Sequence, residues 1–209
     1  MIDPNVLLGR WRTVWRLTTA ADGDAVILDL IARYAEPHRA YHNLDHIGDC
    51  LTHLDAARHL LARPNEVELA IWFHDAIYDP QRHDNEEQSA LLVAAQLSAA
   101  RVAAEVTARV AELIRLTAHT RDDLAGDAAV LCDIDLAILG AAPQRFERYD
   151  AAIRHEYEWV PEVIYRRERA RVLAGFLERP RIYQTPFFFD RWEKQARANI
   201  TVALQKYHS

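Results

Sequence analysis

The stretch "YHNLDHIGDCLTHL", residues 41–54, spaces Leu44, Ile47, Leu51 and Leu54 at i, i+3, i+7 and i+10, the apolar stripe of a helix with one face in a core. His46, Asp49 and His53 project from a neighbouring face, and His42 stands one turn before His46. Two imidazoles four residues apart can point into one space and bind one metal, as in the H-E-x-x-H helix. Here Asn43 follows the first histidine, so the general base of that motif is missing and a zinc-peptidase reading fails.

The same helical spacing runs outward along the chain. Ala, Leu, Arg and Glu dominate, only six glycines occur in 209 residues, and alternating β-branched runs are almost absent, which predicts an all-α fold. Periodicity predicts helices at about 5–18, 25–35, 43–62, 65–77, 85–98, 101–118, 128–139, 144–158, 161–178 and 187–207. Pro37, Pro64, Pro143, Pro161, Pro180 and Pro186 all fall between these spans, where proline opens or closes a helix without breaking it. No composition shift marks a linker, so the expectation is one domain over residues 1–209.

Composition narrows the class of function. Half of the residues are hydrophobic and 27% are charged, an ordinary globular balance, while the formal charge of −6 gives no basic footprint for nucleic acid or an anionic membrane. An acidic start broken by Arg10, Arg12 and Arg16 is unlike an export signal, and the longest uncharged apolar stretch, Ser89–Ala100, is too short to cross a bilayer. A cytoplasmic location without membrane contact is expected. Cys50 and Cys132 sit in apolar-periodic segments and read as buried, reduced thiols.

Two further segments carry chemistry. In "ELAIWFHDAIYD", residues 68–79, Leu69 to Phe73 are apolar on every side, so the adjacent His74 and Asp75 arrive at the end of a buried helix. A buried carboxylate needs a cation, an arginine or a dense set of donors. In "LCDIDLAILG", residues 131–140, Asp133 and Asp135 interrupt an otherwise apolar helix and make the same demand. One of these two, added to His46, His74 and Asp75, completes a set of two imidazoles and two carboxylates suited to a divalent Mn, Fe, Co, Ni, Zn or Mg ion. About 100° per residue places Asp133 and Asp135 on nearly opposite sides of their helix.

The order His46, His74–Asp75, Asp135 resembles the HD-domain superfamily of metal-dependent phosphohydrolases, whose fold is an all-α bundle. The segments "EPHRAYHNLDHI", "WFHDAIYD", "DNEEQSA" and "CDIDLAILG" are similar to a bacterial subgroup of HD phosphohydrolases. The resemblance covers about residues 36–140, with the helices of 144–207 expected to pack on that core. It implies metal ligation by His46, His74, Asp75 and Asp135, Asp135 being preferred to Asp133 because "DLAIL" matches the run that follows the family's ligand. "YHNLDHI" also resembles the "YHNxxHA" segment of the eukaryotic cyclic-nucleotide phosphodiesterases. That likeness makes His42 the general acid and His46 a ligand; separately, Asp75 is expected to be catalytic as well as a ligand. Past His74–Asp75 the chain departs from the phosphodiesterase pattern.

Five further residues are candidate substrate contacts. Arg39 suits a phosphate and equally suits Glu36, and Asn43 adjoins the proposed acid. Asp79, Glu86 and the neighbouring Glu87 either orient water or mark a helix start capped by Asp84 or Asn85. His119 reads as a second-metal ligand, a phosphate contact or a polar helix end. The arginine-rich "YRRERARVL" and the aromatic "TPFFFDRW" read as a solvated face and as packing. The expected activity is hydrolysis of a small phosphate ester, nucleotides included, with one divalent ion, a second ion being the lesser expectation, and with homodimers allowed. The rivals are a di-iron HD-fold oxygenase and a metal- or nucleotide-binding module without turnover.

Overall fold

The computed structural model describes residues 4–208, so the ends of the expected domain, residues 1–3 and 209, lie outside the described residues. Helix α4 (Pro64–Phe73) is the axis: Val67 to Phe73 are all buried. Against it pack α1 (Pro4–Thr18), α3 (Leu44–Ala57), α6 (Ala104–Leu116) and α7 (Gly126–Asp135). Helix α2 (Asp24–Tyr34) follows α1, and α5 (Asn85–Ala99) lies along α6. Helices α8 (Pro143–Glu156), α9 (Glu162–Glu178) and α10 (Pro186–His208) complete an all-α bundle, without a strand among the described residues.

One contiguous core runs through these helices. Trp11 stacks on Trp15 at 4.9 Å between ring centroids and meets Trp72 edge-on at 5.6 Å. The one charge buried on α4, Glu68, is matched by Arg10 Nε at 2.8 Å and Arg58 Nη1 at 2.9 Å. Prolines 64, 143 and 186 stand at the first positions of their helices, where a missing N–H costs nothing.

Several helices end earlier than the periodicity predicts. Helix α3 tightens into a 3-10 turn at Arg58–Leu60, because Pro64 forces Arg63 out of the helical region. Helix α4 stops at Phe73, four residues short of the expectation: the chain tightens there, with Ala76 N donating to the Phe73 carbonyl, and the carbonyls of Asp75 and Ala76 beyond it accept from Arg39. Helix α7 stops at Asp135 and passes into a 3-10 turn, Leu136–Gly140. Helix α6 starts at Ala104 because Arg101 sits at φ +58°.

Helix α10 is locked to α7 and to that 3-10 turn. The Asp133 carboxylate accepts from Gln184 N at 2.7 Å, Thr185 N at 2.8 Å and Thr185 Oγ1 at 2.6 Å. Burial pushes its pKa up even so. Asn199 Nδ2 donates to the carbonyls of Leu139 and Ala141, both at 2.8 Å. Gly140 admits the closest approach: a Cβ there would fall 2.4 Å from Trp192 Cβ. Replacing Asp133 by Ala strips three donors of their acceptor, and the expected loss is about 3 kcal/mol in urea denaturation. An unchanged midpoint would mean that apolar contacts alone hold α10.

Candidate metal centre

Three helix segments converge on one point. The first turn of α3 brings His46, the C-terminus of α4 brings His74 and Asp75, and the C-terminus of α7 brings Asp135. His46 Nε2 lies 3.2 Å from His74 Nε2, 3.1 Å from Asp135 Oδ1 and 3.5 Å from Asp75 Oδ2. His74 Nε2 lies 3.0 Å from Asp75 Oδ2 and 3.4 Å from Asp135 Oδ1. Donors about 2.1 Å from a common ion and 90–110° apart are separated by about 3.0–3.4 Å, so the spacing fits a divalent metal. His74 Nδ1 donates to the Ile71 carbonyl at 2.9 Å, which fixes the tautomer and turns the Nε2 lone pair toward the other donors.

Electrostatics make the same demand. Burial opposes charge on His74, but Asp75 and Asp135 outweigh it and raise its pKa well above that of an ordinary imidazole. Burial likewise works against both carboxylates, and the histidines reverse it: His74 foremost, with both aspartates held below the usual carboxylate range. Positive charge belongs between these carboxylates, as a proton or as a metal. Asp133, by contrast, faces away and is consumed by α10. Of the two aspartates, Asp135 is the one brought to the histidines.

The sequence reading missed Cys50, one turn beyond His46. Its Sγ lies 3.7 Å from His46 Nε2, and burial with the nearby carboxylates keeps the thiol protonated. The adjoining donor atoms fall into two groups that share His46: His46, His74 and Asp75, and His46, Cys50 and Asp135. His119 also reaches the site: it adopts φ +54°, and its Nε2 lies 2.8 Å from Asp135 Oδ2.

His42 stands beside the cluster, with its ring 6.1 Å from that of His46. Its Nδ1 lies 2.6 Å from Oε2 of Glu156, a residue the sequence reading passed over. Oε1 of the same carboxylate accepts from Tyr41 N at 2.6 Å and His42 N at 3.0 Å, and Oε2 also accepts from Tyr78 OH at 2.8 Å. Tyr78 stacks on the imidazole at 4.1 Å. Burial lowers the His42 pKa, but Asp75 and then Glu156 more than compensate, and it stands above the ordinary value. Burial is outweighed at Glu156 too, by His42 and the backbone N–H groups, bringing it down to about 2.

Other candidates fall elsewhere. Arg39 has a fully buried side chain, and its guanidinium donates to Glu36 and to the carbonyls of His42, Asp75 and Ala76. It braces the loops, which corrects its reading as a phosphate contact. Asn43 caps α3, accepting from Asp45 N and donating to the Ala40 carbonyl. Asp79 is exposed and closes a turn with Gln81 N, and Glu86 lies in the first turn of α5. Glu87 is taken up by Arg115. Asp84 holds the N-cap position of α5 without capping it, its carboxylate being turned to Arg82 and Gln88.

A cavity of about 310 Å³ opens beside the cluster, with His46, Cys50 and Asp135 at one side and His53, Arg145, Arg191 and Trp192 among its other walls. No helix among the described residues is long and apolar enough to cross a membrane. Compared with known proteins, the chain matches no family model, no curated protein and no solved structure. Fold and site alone therefore define the class: an all-α bundle with buried histidines and partly buried aspartates able to hold a metal ion.

Two outcomes are expected. Elemental analysis of protein purified without chelators should find about one divalent ion per chain, lost in His74→Ala and Asp135→Ala and kept in Asp133→Asn; retention in all three would place the metal elsewhere. The Glu156 carboxylate, depressed in the folded chain, stabilises above its unfolded pKa of about 4.3 and loses that contribution as pH falls toward about 2. Metal-free wild type should therefore exceed Glu156→Gln by roughly 3 kcal/mol at pH 7, with the gap closing below pH 4. A gap that ignores pH would remove the ionic pairing from the account.

Proposed function

We propose that this chain is a metal-dependent phosphohydrolase acting on a small phosphate ester. The observation that carries the reading is the placement of His42, backed by a buried carboxylate, beside a cluster with the donor spacing of a divalent metal site. The resemblance to the HD phosphohydrolases in "YHNLDHI", "WFHDAIYD" and "CDIDLAILG" supports it.

His46, His74, Asp75 and Asp135 would hold one divalent ion. When bound, such an ion supplies a water acidic enough to ionise near neutral pH and a charge that polarises a phosphoryl oxygen. The remaining chemistry belongs to side chains. Glu156 takes the Nδ1–H of His42 and favours the imidazolium, which leaves Nε2–H to protonate the departing oxygen. Tyr78 and the two backbone N–H groups on Glu156 keep the carboxylate from turning away. Asp75, its side chain 17% exposed and adjacent to His74, is placed to accept a proton from the attacking water.

His119 favours one rival. Its hydrogen bond to Asp135 puts a third imidazole near the cluster, and two irons per chain with a visible absorption band would move the reading to a di-iron oxygenase.

The deciding experiment compares leaving groups. His42→Ala should lower kcat about 10²- to 10³-fold for an alkyl phosphate, whose leaving oxygen needs a proton, and tenfold or less for p-nitrophenyl phosphate, whose leaving group does not. Metal content should stay at the wild-type level. Equal losses on both substrates would assign His42 to structure.

A further inference from the structure

The cavity beside the cluster has an end that the hydrolytic chemistry does not use. Its walls there are Arg145 on α8, Arg191 and Trp192 on α10, and His53 on α3, while Ile138 and Ala142 supply apolar surface. Arg145 is paired with Asp49. Arg191 is exposed, lies 5.4 Å from the Trp192 ring centroid, and forms no ion pair with a described residue. His53 reports the local field: burial, reinforced by Arg145 and Arg191 against Asp49, brings its pKa down to about 4, so its ring is neutral at working pH. A neutral imidazole still offers an N–H. Trp192 is held against His53 at 4.8 Å, Phe188 at 5.1 Å and Tyr183 at 6.0 Å between ring centroids, a fixed wall from which Arg191 projects.

The charge balance of the cavity follows. Of the four charged groups that line it, Asp49 matches Arg145, Asp135 is engaged by the imidazoles of the cluster, and Arg191 is left without an ion pair to a described residue. A surplus cation in a concave, partly apolar site recognises an anion. At about 30 Å³ of liquid volume per water, 310 Å³ is room for a sugar-sized molecule rather than an oligomer.

Resting on the hydrolase reading, the geometry points to a second anion seat: the substrate is a compact phosphate ester that carries another anionic group, phosphate or carboxylate, received by Arg191 with Arg145. The scissile phosphate lies at the cluster, the organic spacer crosses the apolar wall, and the distal anion meets the guanidinium groups.

Binding without turnover tests this. The probes are α,ω-bisphosphonates with spacers of two to five carbons and the matching alkyl monophosphonates, titrated calorimetrically into the metal-loaded chain. Wild type should bind its best bisphosphonate at least tenfold more tightly than the monophosphonate. In Arg191→Met that advantage should vanish while monophosphonate binding stays unchanged, and Arg191→Glu should favour the monophosphonate. Arg191 is exposed, so neither variant threatens the fold. Equal binding of both probes to wild type would overturn the second seat. A parallel loss of both in Arg191→Met would overturn it too, by giving Arg191 to the scissile group. The bisphosphonate pattern in a chain that hydrolyses no phosphate ester would keep the seat and retire only the hydrolase reading.

Discussion

The site depends first on the buried guanidinium of Arg39. It donates to Glu36 and to the carbonyls of His42, Asp75 and Ala76, and it lies 5.3 Å from the ring of Tyr34 and 5.5 Å from that of Tyr78. Those carbonyls belong to two separate loops, one leading into α3 and one leaving α4. A single planar group with five donors ties them together where either backbone alone would leave acceptors unpaired in the interior. The segment leaving α4 is thereby held in place, with His74 and Asp75 facing His46.

Around that brace the charges are distributed by purpose. Glu68, Asp133 and Glu193 are buried and fully engaged with arginines, backbone N–H groups or a hydroxyl, so each fixes one element to another. Asp75 and Asp135 instead face imidazoles at distances that suit a shared cation. Glu156 stands between these cases: it is buried like the structural carboxylates, yet one of its partners is the ring of His42, which borders the cluster. Burial makes each carboxylate costly, and the difference in partners decides which is scaffold and which is chemistry.

How much of this could be read from the sequence varies with distance along the chain. Every helix was legible because periodicity is local, and the cluster was legible because His46, His74, Asp75 and Asp135 each sit beside an apolar run that commits its helix to the core. The choice of Asp135 over Asp133 followed from the family likeness, the turn per residue saying only that the two face apart. Cys50 and His53 lay one and two turns from His46, within reach of the same geometry. Glu156 was not readable: it is 114 residues from His42, and in "RHEYEW" it looks like any surface glutamate. Arg39 was legible only in its alternative pairing with Glu36, since its other partners are backbone carbonyls, which carry no mark in a sequence. Arg145 and Arg191 reach one cavity only because α8 and α10 both pack on the 3-10 turn at Leu136–Gly140.

Helix α7 joins the two halves of the site more tightly than its ten residues suggest. Asp135 points to the histidines, and Asp133, two positions earlier, grips the start of the helix that supplies Trp192 and Arg191. Asp135 and the cavity wall thus share one rigid ruler, and Gly140 removes the slack at its far end. Any shift of α10 large enough to reshape the cavity would drag Asp135 with it. Change in what the cavity can accept is consequently confined to exchanging side chains on a stationary backbone, and Arg191, exposed and free of ion pairs with described residues, is the cheapest of these to exchange.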